Sequence, residues 1–344
     1  MTPDSPDPLG WLPQELEPVA LRLARVDECV FMIGDLVSKW SLEGPLEMQQ
    51  VRRGNAVDIV LRGIRPIPPL VSLLFSEAIN HLRAAIDNTV WYLVEREHGP
   101  VKGSAALLVA MPIVTKEQAL DDWVKKREKA GLSALGPNAV LGERVRSLQP
   151  FADSATSIPS TKPLLALLLG EVVEDAHPLR LLQGYSNADK HRSIRVAVAR
   201  TTSSRHDEPF LAQDRSFKEL RVGDLLARTT WGKLVMFDSS TAAVVERPEP
   251  FVALVSPVKE LSHLHRYVSR VAIPVLVTGL ELPHSLPPRV DLSDNGRSAR
   301  ERLCAGSWDD AEARLAPANA ERFAEAMNRD AHFPDVVDDP GKSP

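Results

Sequence analysis

The chain reads as an α+β protein: a mainly helical N-terminal module with a β-hairpin, then a β-containing C-terminal half with a packed helix. Three observations predict this class. Apolar residues recur at helical spacing over 13–43 and again over 70–97. Between them, "EMQQVRRGNAVDIVLRGI" (47–64) holds two extended stretches joined at Gly54-Asn55, a hairpin turn. From about 217, short extended runs alternate with turn residues.

The elements follow in order. In the first helix Val19, Leu21, Leu23, Val26, Val30, Ile33 and Leu36 make the apolar face. After the hairpin, "RPIPP" (65–69) ends the strand and starts a helix, because proline suits a first helical turn. That helix buries Leu74, Ile79, Leu82, Ile86, Val90 and Leu93, and "HGP" (98–100) stops it. A loop with "MPIV" (111–114) follows, then an amphipathic helix over 116–131 and a shorter one in 136–151 that ends at Pro150. The segment 177–200 reads as helix to about Arg192, then a strand with Ile194, Val196 and Val198 on one face and Arg195 on the other. Residues 258–280 predict a helix across the back of the C-terminal sheet, bent at Pro274. These patterns divide the chain into a flexible start (1–12), a helical module with the hairpin (13–205), and a β-rich region with a helix (206–282). A polar linker, a small helical appendage interrupted at Pro317 and a disordered tail complete it (283–344).

Hydrophobic content of 44% and charged content of 25% are those of an ordinary globular protein. A net charge of −5 argues against a surface that binds nucleic acid or anionic membrane as a whole. Cys29 and Cys304 match no metal-ligand spacing, and the longest apolar runs are too short to span a bilayer. The acidic, proline-rich start is unlike a signal peptide, so the expected compartment is the cytoplasm. There is no glycine-rich phosphate loop, no His-Glu-x-x-His, no Cys-x-x-Cys and no serine-hydrolase elbow. His263 and His265 lie two apart, on opposite faces of a helix. No cofactor and no metal is expected.

Two constellations carry the remaining chemistry. At about 100° per residue, Asn80, Arg83, Asp87 and Trp91 fall on one stripe beside the apolar face of the 70–97 helix. Arg83 and Asp87 are four apart and can pair as a structural unit. The second is "NADKHRSIRVAVARTTSSRH" (187–206), where Lys190, Arg192, Arg195, Arg200 and Arg205 face the single acid Asp189. Such a run either complements a helix dipole or contacts phosphate and RNA backbone, with Asn80, Lys190, Arg192 and Arg195 as the candidate contacts. His191 adds a side chain that can change protonation near neutral pH.

Taken together, "FSEAINHLRAAIDNTVWYL", "MPI", "LQPF" and "LLQGYSNADKHRSIRV" resemble a group of bacterial proteins with a Leu-Arg-Ser-Ala-Leu-Asp-His helix followed by an Asp-Lys-His-Arg helix end. The similarity covers about 14–200, and its first motif is similar to the arginine–four residues–histidine signature of HEPN-like helical domains. The resemblance implies RNA or nucleotide as partner, a homodimer with the motif at a shared cleft, and metal-independent ribonuclease chemistry in a defence or stress role. This chain departs from the pattern at one position: Asn88 stands where the histidine belongs. An amide cannot act as general acid or base, so a catalytic set of Arg83, Asn88 and His191 needs His191 to supply the imidazole. The reading from another class is a non-enzymatic interaction or structural protein whose polar helix stripe is architectural.

Overall fold

The computed structural model describes residues 8–191, 194–205, 218–233, 237–284, 286–327 and 336–338, with Asp207, Pro209 and Gln213 beside them. Helix and sheet combine as the α+β class requires. Helix α1 (Glu17–Leu42) buries Val19, Leu23, Val26, Val30 and Ile33, and α2 (Leu70–His98) buries its predicted stripe in full. The two run antiparallel: Arg25 donates to Glu77 at 2.7 Å, and Arg22 bonds to His81 Nδ1 at 3.2 Å. Strands β1 (Leu46–Arg53) and β2 (Ala56–Ile64) form the hairpin between them, turning at Gly54 with a φ of +65° that favours glycine.

Further along lie α3 (Glu117–Lys129), α4 (Val140–Ser147), the short strand β3 (Ile158–Pro159), α5 (Pro163–Leu169), β4 (Asp175–Ala176) and α6 (Pro178–His191). Strands β5 (Val196–Arg205), β6 (Lys218–Glu219), β7 (Leu225–Thr230), β8 (Phe237–Glu246) and β9 (Leu254–Val255) complete the β-rich stretch. One sheet has the order β6-β5-β8-β9. In another, β7 adds antiparallel to β2 of the hairpin, while β10 (Val336–Asp338) pairs parallel to β1. The expected boundary at 205/206 therefore runs through shared sheets, and β10 falls inside the stretch expected to be disordered.

Helix α7 (Pro257–Tyr267) continues through a π turn (Val268–Ala272) into α8 (Ile273–Thr278). The expected bend at Pro274 takes this form because proline offers no N–H to the carbonyl of Arg270, which accepts from Leu282 N at 3.0 Å instead. The element reaches the sheet at β8 and packs chiefly on α1 and α2. Leu261, Leu264, Val268, Ile273 and Leu276 enter the core formed with α1 and α2, with the polar Glu260, Ser262, His265 and Ser269 buried beside them.

The segments read as peripheral are packed. Leu9 and Leu12 are buried, with the Leu9 carbonyl held by Arg300 at 3.1 Å. Helix α9 (Ala299–Cys304) starts at a capping box on Ser298. Helix α10 (Ala311–Met327) runs through Pro317 without interruption and docks on α1. Asp27 accepts from Ala311 N and Arg314, each at 2.7 Å. Gly34 lets the helices meet: a Cβ there would stand 2.3 Å from Leu315 Cδ1.

Candidate functional site

The stripe on α2 faces α6 and the 111–114 loop. Arg83 meets Asp87 bidentately, Nε to Oδ2 at 2.9 Å and Nη2 to Oδ1 at 3.0 Å. Its Nη2 also donates to the Met111 carbonyl at 2.7 Å, and Nη1 donates to Gln183 of α6 at 3.2 Å. Asp87 Oδ1 accepts from Met111 N at 2.9 Å, closing a ring of side chain and backbone. Asn80 donates to Asp189 of α6 at 2.9 Å, and Ser76 donates to the same carboxylate. Phe75 and Tyr185 pack edge to face beneath, with ring centroids 5.2 Å apart.

The other predicted site residues do not join this ring. Asn88 is exposed beside it. His191 ends α6, eight residues beyond Gln183 and so about 12 Å further along the helix axis. Its side chain, and the whole of Arg192, lie outside the described residues. Lys190 is exposed. Arg195 is held between two carboxylates, Glu246 at 2.8 Å and Glu219 at 2.6 Å. Arg200 and Arg205 occupy β5, paired with Thr241 and Phe237 of β8, and their side chains are also outside the described residues.

Residues that sequence reasoning passed over complete the network. Gln149, from the "LQPF" stretch, is fully buried, accepts from Val114 N at 3.0 Å and donates to the Pro112 carbonyl at 3.1 Å. Deeper still, Arg247 makes a bidentate pair with Glu260, both contacts 2.9 Å, and Tyr185 donates to Glu260 at 3.2 Å. Burial pushes the Glu260 carboxyl up in pKa while the Arg247 guanidinium pulls it back. His177 Nδ1 accepts from Leu179 N at 3.1 Å at the start of α6, and burial lowers its pKa. Gln149 is signalled in the sequence by its place in the Leu-Gln-Pro-Phe stretch at 148–151; Arg247 and Glu260 stand among exposed-looking charges and carry no signal.

No family model, curated protein or solved structure matches this chain. Four of the five N–H donors of Arg83 are engaged within the chain, and its side chain is only 16% exposed. Cys29 is a poor nucleophile, its thiol pushed up to about 12 mainly by burial. Among the described residues no helix is long and apolar enough to cross a membrane.

Proposed function

We propose that this chain is a non-enzymatic interaction protein in which the polar stripe of α2 is architecture. The observation that supports this reading is the guanidinium of Arg83, committed to Asp87, the Met111 carbonyl and Gln183. A phosphate-binding arginine needs its fork open toward the ligand, and here the fork holds a loop and a neighbouring helix. Two of the four further candidates, Asn80 and Arg195, are likewise bonded to carboxylates of the same chain.

The decisive experiment incubates the full chain with single-stranded RNA in chelator and follows both cleavage and binding as salt is raised. The expected result is no cleavage and no binding above that of an acidic control protein. Arg83→Ala should lower the unfolding free energy by about 1–3 kcal/mol, because it leaves the Met111 carbonyl without its donor and Asp87 with only the Met111 amide. Cleavage by the wild type that disappears in His191→Ala, with unchanged folding, overturns the proposal in favour of the ribonuclease reading.

A further inference from the structure

The chain carries an arm whose construction points outward. Residues 160–174 rise from the β3–β4 ribbon, where Ile158 pairs with Ala176 and Pro159 with Asp175. Ser160 N donates to the Glu174 carbonyl at 2.9 Å, and Glu174 N donates to Ser160 Oγ at 2.9 Å, so the stem is closed. Arg247 then grips both roots: it donates to the Glu174 carbonyl at 2.8 Å and to the Ile158 carbonyl at 3.1 Å, while Glu260 holds it from α7. A fully buried arginine thus fixes the base of an otherwise peripheral loop.

The tip so presented is apolar. In α5, Ala166 turns inward and is buried, whereas Leu164 is 70% exposed, Leu167 is 76% exposed, and Leu165 and Leu168 are also exposed. Val172 beyond it is 89% exposed. At the base, exposed Val252 lies beside the arm, its amide bonded to the Glu174 carboxylate at 3.0 Å. The apolar face is on the order of 500 Å², at the upper end of the largest patch found on a typical monomer, and patches of that size mark interaction sites.

We infer that this arm docks on the same arm of a second copy of the chain. The inference rests on the interaction-protein reading above and names its partner. Area and charge both favour an identical surface. Two such faces together cover on the order of 1,000 Å², the threshold for a specific interface, so the arms alone suffice for a modest dimer. The run from Pro163 to Gly170 contains no charged side chain, and it is bracketed by Lys162 at one end and Glu171 at the other. Over seven residues the helix is about 10 Å long, so two copies crossing antiparallel place each Lys162 near the other copy's Glu171. A two-fold axis through the crossing makes every contact twice, as an isologous interface requires.

The test is light scattering of the full chain across a concentration series centred on about 10 μM, where an interface at the low end of the specific size range gives a reversible equilibrium. Wild type should reach twice the chain mass. Leu164→Lys with Leu167→Lys should stay at one chain mass with an unchanged melting curve, since both side chains already face water. Lys162→Glu should weaken association at least fivefold, and Lys162→Glu with Glu171→Lys should restore it, a rescue that a folding defect cannot mimic. A wild type that is monomeric throughout the series overturns the inference, as does a dimer that survives the double lysine variant. Flotation of monomeric wild type with phosphatidylcholine vesicles also overturns it, assigning the leucines to lipid. RNA cleavage by an intact dimer would remove only the non-enzymatic reading and leave the arm contact standing.

Discussion

Arg83 and Gln149 belong to different parts of the chain and act on the same loop. Between Met111 and Val114 the backbone has no strand or helix to satisfy it, so side chains do: Asp87 and Arg83 take the Met111 amide and carbonyl, and Gln149 takes the Pro112 carbonyl and Val114 amide. Single side chains also set the response to acid. His265 is buried and its Nε2 faces the Leu23 carbonyl at 3.1 Å, which only accepts, so Nε2 carries the proton and the ring is neutral. Burial is the main cause that lowers its pKa to about 4; Asp310 and the Leu23 bond oppose it, while Arg266 and Arg270 add to it. The unfolded imidazole titrates at about 6.5, so below that pH the unfolded state takes up the proton first. Stability is complete above pH 6.5 and is lost as the solution is acidified toward pH 4, by about 3 kcal/mol for this group. Urea unfolding between pH 7 and pH 4 should show a shallower acid loss in His265→Gln, which keeps an N–H donor but does not titrate. An identical slope in the two proteins would refute the assignment.

At the scale of elements, the buried Arg247–Glu260 pair joins four pieces that are remote in sequence: the end of β8, helix α7, and both roots of the α5 arm. Removing one partner leaves an uncompensated charge in the interior, which costs about 3–5 kcal/mol. Glu260→Ala should therefore lose that much in urea unfolding and expose the arm to limited proteolysis within 160–174, since Arg247 then lacks the carboxylate that holds it over the stem. A loss below about 1 kcal/mol with an unaltered digestion pattern would show that the pair does not anchor the arm. None of this was legible from spacing. The Arg83–Asp87 pair was, because i,i+4 neighbours on a helix must lie side by side, and so were the stripes of α1 and α2. Arg247 and Glu260 are thirteen residues apart across a turn and a helix start, a separation with no period to betray contact. The same limit explains why α7 was expected on the sheet. Its apolar character was readable, but the partner that would cover it was not.

At the scale of the molecule, the two stretches that composition divides near residue 205 are bound by their backbones. Strand β7 hydrogen-bonds to β2 of the early hairpin, and β8 lies beside β5. Helix α10 returns to α1 through Arg314–Asp27 at 2.7 Å and the Arg322–Asp35 pair. Period and turn signals mark strands but do not say which strand pairs with which, so a hairpin and a remote strand read as separate units until the sheet is seen. The consequence is testable, because a chain of 344 residues would ordinarily unfold in stages. Here, opening the C-terminal strands strips an edge from β2 and uncovers the small core of Trp40, Leu61, Val198, Leu220, Leu226 and Ala243, which draws on both stretches. Neither stretch retains a complete core without the other. Urea unfolding followed by tryptophan fluorescence, which senses Trp40 in that core and Trp91 and Trp123 against the main one, should coincide with far-ultraviolet dichroism in one transition. Two separated transitions would mean that the shared strands are weak ornaments on independent domains, and that the boundary near 205 is energetic as well as compositional.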